Sequence, residues 1–290
     1  MKKYFGIDIG GTSAKFARID QNGKLTDIGS FATYRDMEQG DFLDKIYRLC
    51  DNAKKDGSKG IGISTLGVID TIDEKYVGGV QNLPFLLGLS LKKRLESRYP
   101  GLPISVINDA WAVALAELWM GEGKKCDSFV CITLGTGIGG AIVIDGKLVK
   151  GFNNRSGEIG FSDYKSENDY FEKNYSTNSV MSKVSMKINE KIDGLQFFNK
   201  CRAGEKAYLA ELEIWMAGLA GFVSNCCLII DPEKVILGGG VSAEHDFIIP
   251  ILKRYLNAKL PPEFQDQVLI VPASNTNNAG IIGAVAEFVL

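Results

Sequence analysis

Asp8-Ile9-Gly10-Gly11-Thr12 and Leu134-Gly135-Thr136-Gly137-Ile138-Gly139-Gly140 are two glycine-rich turns, each set between a pair of apolar, strand-like runs. Lys3 to Ile9 leads into the first and Ala14 to Asp20 leaves it, while Ser128 to Leu134 and Ala141 to Asp145 do the same around the second. Both stretches then close in a tight turn, Asn22-Gly23 and Asp145-Gly146, followed by another short apolar run. The pattern is a weak internal repeat of strand, glycine turn, strand and hairpin, and it predicts two related halves. Without a Cβ, glycine takes positive φ and lets several backbone N–H groups approach one phosphate. A tight hairpin also favours glycine for conformational reasons alone. Two turns in matching contexts, with Asp8 in the first and hydroxyls on Thr12 and Thr136, favour phosphate binding as the shared purpose.

A chain of 290 residues, 45% of them hydrophobic, is long enough to bury a sizeable core in one large domain or two of ordinary size. Its formal net charge of −2, with Lys and Arg scattered, argues against nucleic-acid and anionic-membrane partners and for a small molecule. The first strand is expected almost at the N-terminus, so neither a secretory signal nor a DNA-binding segment is expected ahead of it. Ile214 to Ile230 is the longest apolar stretch, contains Gly218, Gly221, Ser224 and Asn225, and reads as a buried helix too short for a bilayer. Cys50, Cys126, Cys131, Cys201, Cys226 and Cys227 show no metal-ligand spacing and fit free thiols in a reducing cytoplasm. His245, the only histidine, reads as a surface residue opening a helix.

Between the turns the chain alternates helix and strand. Phe42, Ile46 and Leu49 have helical spacing; Lys59 to Thr65 reads as a buried strand running to Gly67; Leu89 to Tyr99 reads as a helix stopped by Pro100-Gly101. Ile104 to Ile107 is a strand whose carboxyl end delivers Asn108 and Asp109 to a helix from about Ala110 to Met120. Ser162 to Lys200 is polar and resists assignment, and Glu205 to Ile230 reads as one long helix or two. Lys234 to Leu237 runs into Gly238-Gly239-Gly240, a common ligand mouth in α/β folds. His245 to Leu256 is a helix, Val268 to Val271 a strand, and Asn278 to Phe288 a closing helix. The small residues Ala279, Gly280, Gly283, Ala284 and Ala286 on that helix favour close helix packing over ligand contact.

Phosphoryl transfer needs held phosphates, a metal to neutralise charge, and a group to orient or deprotonate the attacking hydroxyl. Asp109, at a strand end and a helix start, can accept a proton from a sugar hydroxyl. Asn108 and Asp109 are equally suited to capping that helix. Glu158 in Ser156-Gly157-Glu158-Ile159-Gly160 and Asn82 in Gln81-Asn82-Leu83-Pro84 could bind vicinal hydroxyls, or be ordinary loop residues. There is no G-x-x-x-x-G-K-[ST] loop, and Gly135-Thr136-Gly137 opens a strand instead of the helix of a dinucleotide fold.

On these motifs, in this order, the chain resembles the ROK family of sugar kinases over essentially its whole length. Asp8 to Thr12 is similar to the family's first phosphate motif, Asn108-Asp109-Ala110 to its catalytic segment and Leu134 to Gly140 to its second phosphate motif. Gly238 to Val241 is similar to its adenosine-side loop, and Asn278-Ala279-Gly280 to its closing-helix motif. The resemblance implies an α/β, two-lobed actin/hexokinase-like ATPase fold of duplicated ribonuclease H-like domains. Its N-terminal lobe would be residues 1–112, with a closing helix at 278–290 packed back on it, and its C-terminal lobe 113–277, with the sugar in a cleft between them. It implies Asp109 as the base on a sugar 6-hydroxyl and Asn82, Asn108 and Glu158 as ring contacts. ATP would be held by Gly10, Gly11, Thr12, Lys15, Gly135, Thr136, Gly137, Gly239 and Gly240, with Asp8 placing Mg²⁺ through water. A cytoplasmic homodimer follows by family habit. Three positions depart from the pattern: Phe161 stands where many members have a zinc-binding histidine, Trp111 where an Asn is usual, and Leu66 where a Pro is usual. With no cysteine in 162–200, the chain resembles the zinc-free branch, which includes β-glucoside, fructose and glucose kinases. The alternative is a sugar-sensing protein that keeps the fold but turns over weakly or not at all. Trp111, beside the presumed base, could reshape a sugar pocket or face the core.

Overall fold

The computed structural model describes residues 2–70, 72–275 and 277–290. Its contacts divide the chain into two compact units, Met1–Lys124 with Lys150–Ser156 and Asn277–Leu290, and Lys125–Val149 with Gly157–Thr276. In the first, β1 (Lys3–Ile9) and β2 (Ser13–Asp20) form an antiparallel hairpin across the first glycine turn, and β3 (Leu25–Ala32) extends it. After α1 (Gln39–Lys55) comes β4 (Ile61–Thr65), parallel to β1. The short β5 (Val68–Ile69) and β6 (Tyr76–Gly78) pair with each other, and α2 (Leu91–Arg98) leads to β7 (Ile104–Asn108), parallel to β4. The five-stranded sheet has the order β3-β2-β1-β4-β7, with α3 (Asp109–Met120) directly after β7. Phe42, Ile46, Cys50 and Ala53 form the buried stripe of α1 and join Ile7, Ile9, Ile61 and Ile63 in the core. Leu49, which the sequence spacing placed on that stripe, is half-buried beside it.

The second unit repeats the plan. β8 (Phe129–Leu134) and β9 (Ile138–Ile144) form the hairpin across the second glycine turn, and β10 (Lys147–Leu148) extends it. Strand pairing starts at Leu134 opposite Ile138, so the turn is only Gly135–Gly137, and Gly139 and Gly140 lie in β9. The polar stretch after it holds α4 (Phe171–Tyr175), α5 (Thr177–Ile188) and α6 (Gly194–Arg202). Ser176 caps α5, and Asp193 with Gln196 forms a reciprocal capping box at α6. α7 is a single helix, Lys206–Ile230, longer than the apolar run alone suggested. By length and composition it could cross a membrane, yet Tyr208, Leu212, Trp215, Met216, Leu219 and Val223 make it the core helix of this unit. Then follow β11 (Lys234–Gly238), parallel to β8, α8 (His245–Asn257) and β12 (Leu269–Pro272), parallel to β11. The order β10-β9-β8-β11-β12, two antiparallel then two parallel pairings, matches the first sheet strand for strand.

The chain ends in the first unit with α9 (Ala279–Ala286), packed on α3 and on the sheet. Its small residues serve close packing, as their spacing suggested. A Cβ on Gly283 would lie 1.7 Å from the Ala112 carbonyl oxygen. From the sheet side, a Cβ on Gly62 would lie 1.9 Å from the Ala284 carbonyl oxygen, and one on Gly6 2.6 Å from that of Ile281. This packing keeps α3 whole within the first unit, which runs on to Lys124, so a boundary drawn at residue 112 falls inside a helix.

Because the opposing atoms at Gly283 are backbone and cannot turn aside, Gly283→Ala should destabilise the protein by about 2 kcal/mol or more, as overpacked cores do. Gly40→Ala, in the first turn of α1 with nothing within 4 Å of its new methyl, should be neutral or slightly stabilising. Urea denaturation of the two variants checks both.

Candidate active site

In the first unit the carboxyl ends of three parallel strands bring the predicted residues together, the usual place for a ligand in such sheets. The register sets Asp8 on β1 beside Ser64 on β4, and Thr65 on β4 beside Asn108 on β7. The Ser64 hydroxyl, fully buried, donates to Asp8 Oδ1 at 2.9 Å, and Lys15 lies across the β1–β2 hairpin from Asp8. Gly280, in the first turn of α9, closes over the carboxylate: a Cβ there would be 2.3 Å from Asp8 Cγ. Burial pushes the Asp8 carboxyl above the ordinary aspartate range, against the Ser64 hydrogen bond and the charge of Lys15. The turn itself is held by Gly10 N–H donating to the Ser13 carbonyl and by the Thr33 hydroxyl donating to the Gly10 carbonyl. A Cβ on Gly11 would meet the Asn82 side chain at 3.0 Å, so Asn82 lies against this turn.

Asn108 is the N-cap of α3, with φ −63° and ψ 147°, and its Oδ1 accepts from the Ala110 and Trp111 amides. Its Nδ2 donates to the Gly67 carbonyl at 3.4 Å. Of the two roles open to Asn108, capping is thus realised, and it rigidly presents the next residue. Asp109 opens the helix, exposed, with Oδ1 accepting from the Ala110 amide at 2.8 Å. Trp111 is 6% exposed and donates its indole N–H to the Ser156 carbonyl at 3.1 Å.

The second unit gathers its predicted residues in the same way. Gly135 N–H donates to the Gly137 carbonyl, and the Gly135 carbonyl accepts from Thr177 at the start of α5. Gly239, at φ +82°, brings the loop after β11 against this turn, since a Cβ there would stand 2.2 Å from the Leu134 carbonyl oxygen. Gly240 follows and is exposed, as is Thr136. Gly157, at φ +84°, passes so close to β9 that its Cβ would be 2.5 Å from the Gly140 carbonyl oxygen, and Glu158 follows, half-buried.

Three residues that sequence reasoning did not place in the site support it. Ser64 and Gly280 fix Asp8 as described. Glu172 of α4 accepts from the Ile138 amide at 2.8 Å and occupies the space a Gly137 side chain would need. Glu172 lies 34 residues beyond Ile138, and no local motif links the two. Among the described residues no three His, Cys, Asp or Glu side chains form a metal-binding group. Phe161 stacks on Tyr170 at 5.4 Å, and Tyr170 on Tyr164 at 5.8 Å. His245 opens α8 with Nδ1 3.1 Å from the Ser242 carbonyl, and all six cysteines are buried outside any disulfide.

Two sheets of this order, each with a glycine turn at its first hairpin, define the fold class of the actin- and hexokinase-like ATPases, to which the carbohydrate kinases of similar structure belong. The chain belongs to the ROK family, whose profile matches residues 4–288. It is 31% identical over 295 residues to a β-glucoside kinase of Klebsiella pneumoniae, covering 99% of this chain and 96% of that one. It is 28% identical over 311 residues to a glucokinase of Halalkalibacterium halodurans, covering 97% and 93%. A solved ROK glucokinase of Streptomyces griseus, in complex with glucose and AMPPNP, superposes with a TM-score of 0.81 at 25% identity, covering 99% and 98%.

The environment of Asp8 gives a pH signature. A carboxyl whose native pKa is raised binds its proton more tightly folded than unfolded, so the ionised form lowers stability at neutral pH and the loss fades as pH falls through the raised value. Asp8→Asn should therefore melt higher than the wild type at pH 7, with the difference shrinking toward pH 4. Thermal melts across that range check the sign.

Proposed function

We propose that this protein is an ATP-dependent kinase that phosphorylates the 6-hydroxyl of a hexose or β-glucoside, with Asp109 as general base. The observation that carries the reading is the exposed Asp109 carboxylate, presented by an Asn108-capped helix at the same strand ends as the Asp8 turn. Asp109 takes the proton of the primary hydroxyl as its oxygen attacks the γ-phosphorus and the bond to the ADP oxygen breaks. Asn82, Asn108 and Glu158 would contribute contacts to ring hydroxyls.

The two glycine turns and the Gly239-Gly240 loop are the seats for ATP. Internal bonds use the amides of Gly10, Gly135 and Ile138, so the phosphates would be met by those nearest each apex, Gly11 and Thr12 in one turn and Thr136 and Gly137 in the other. Lys15 adds positive charge beside the first. Mg²⁺ suits the Asp8 environment, a carboxylate buried beside the first turn whose desolvation outweighs the Ser64 bond and the Lys15 charge, so that a hydrated cation would add further compensation. When bound, the ion would neutralise phosphate charge.

Asp109→Asn keeps the shape of the helix start and removes the base. Its turnover should fall by about 10² to 10⁴, the usual contribution of a positioned base, while sugar binding by calorimetry stays within a few-fold of wild type. ADP release measured with Mg²⁺ over glucose, fructose, mannose, N-acetylmannosamine, cellobiose and gentiobiose ranks the substrates. Undiminished turnover in the variant would remove Asp109 from the mechanism, and no stimulation by any sugar would overturn the kinase reading.

A further inference from the structure

Helix α2 of the first unit sorts its residues by face. Leu91 and Leu95 are buried, Lys92 pairs with Glu74 at 2.6 Å and lies 3.9 Å from Glu96, and Lys93, Arg94, Ser97 and Arg98 are exposed together. That exposed face is one wall of a groove of about 880 Å³, closed by residues 87–90, by Lys75 ahead of β6 and by Gln39 and Tyr47 of α1. Lys75, Lys93, Arg94 and Arg98 line it, and no carboxylate does. Lys75 and Arg98 reach carboxylates outside the lining, Asp73 and Asp51, each at 3.3 Å. Lys93 has the Ile72 carbonyl at 3.4 Å, and among the described residues no carboxylate pairs with Lys93 or Arg94. The loop wall is fixed to its neighbour: Gly88 N–H donates to the Tyr76 carbonyl at 2.9 Å, and Tyr76 N–H to the Leu89 carbonyl at 3.1 Å.

Ser90, the residue before α2, lines the same groove. Its side chain makes no capping bond, and its Oγ is shut off from solvent without a hydrogen-bond partner. A buried hydroxyl in that state costs free energy that a ligand oxygen would restore. The first amides of α2 also lack a side-chain cap and form the positive end of the helix dipole. We infer that this groove is a binding site for the phosphate monoester of a small hydroxylated molecule, a phosphosugar in the simplest case. The phosphate oxygens take the α2 amides, the Ser90 hydroxyl, the Lys93 ammonium and the forked N–H donors of Arg94. A cleft lined by one sign of charge also concentrates the opposite ion. The groove is far larger than a bare phosphate. The rest of its wall, the Gln39 amide, the Ser97 hydroxyl and the Tyr47 ring 4.6 Å from the Arg98 guanidinium, suits a polar organic body. None of the lining residues belongs to the site built on Asp8 and Asp109, and the inference does not depend on the kinase reading.

The test is calorimetric titration of the full chain with glucose 6-phosphate and, separately, with inorganic phosphate. Wild-type protein should bind the phosphosugar and bind inorganic phosphate more weakly, since only the former reaches the Gln39 and Tyr47 wall. Arg94→Gln, an exposed change, should weaken phosphosugar binding about tenfold, the loss of one charge-assisted hydrogen bond, and adding Lys93→Gln should weaken it further. Lys24→Gln removes one exposed positive charge elsewhere on the same unit and should stay within about twofold of wild type. Thermal melts should show all three variants folded. No binding by the wild type would overturn the inference. So would an Arg94→Gln isotherm matching the wild type, because phosphosugar held only at the Asp109 site does not need Arg94. An equal loss in Lys24→Gln would reduce the effect to net charge, and equal affinity for the two probes would remove the organic body; either overturns the inference. Loss of ADP release in Asp109→Asn tests the kinase reading by itself and leaves these titrations unchanged.

Discussion

The approach of α9 to the first sheet and to α3 is the constraint on which the first unit depends. Glycines at 6, 62 and 283 let backbone meet backbone where any side chain would force the layers apart. Such packing is not a matter of added contact area alone, because interiors at this density have no room to absorb a methyl group. The last of the small positions, Gly280, reaches the site itself. The same closeness that seats the helix lets its first turn cover Asp8, and the burial of that carboxylate follows from the packing.

The second unit solves a similar problem differently. Its glycine turn is braced from outside, by Glu172 at the Ile138 amide, by Thr177 at the Gly135 carbonyl and by the Gly239 loop against Leu134. The two sheets share one strand order and one position for the turn, but the supports were built separately on each. Repetition therefore extends to the backbone plan, and the residues around each turn are particular to its own unit.

What was legible in the sequence was what local pattern decides. The strands are short apolar runs bounded by glycine or turn pairs, and their ends fall within a few residues of where pattern put them. The repeat showed because the same hairpin occurs twice. Residues 162–200 were not legible because their helices are short and polar, marked mainly by caps such as Asp193 with Gln196. Why Gly218 sits inside α7 was not legible either: a Cβ there would fall 2.0 Å from the Tyr175 ring, so that glycine is there for a neighbour. In the site, the residue types of Asp8, Asn82, Asn108, Asp109 and Glu158 were readable. The capping role of Asn108 was legible too, but the distant supports were not, since nothing local says that Trp111 finds the Ser156 carbonyl or that Glu172 finds Ile138.

The bracing of the second turn bears on how ATP would be bound. A carboxylate beside a phosphate seat is at first sight unfavourable, because like charges in a partly dry site repel. Glu172, however, accepts from an amide at the strand side of the turn, and that bond holds the turn in shape before any ligand arrives. A turn that is already ordered loses less conformational freedom on binding than one that must be ordered by the ligand. In the first unit that ordering comes from neutral groups, the Ser13 carbonyl and the Thr33 hydroxyl, and the nearby carboxylate is Asp8. The two acidic residues thus stand differently toward their turns: Glu172, from α4, accepts from the backbone just after its turn and shapes it, while Asp8, on the strand before its turn, is held above its ordinary range by burial against the Ser64 bond and the Lys15 charge.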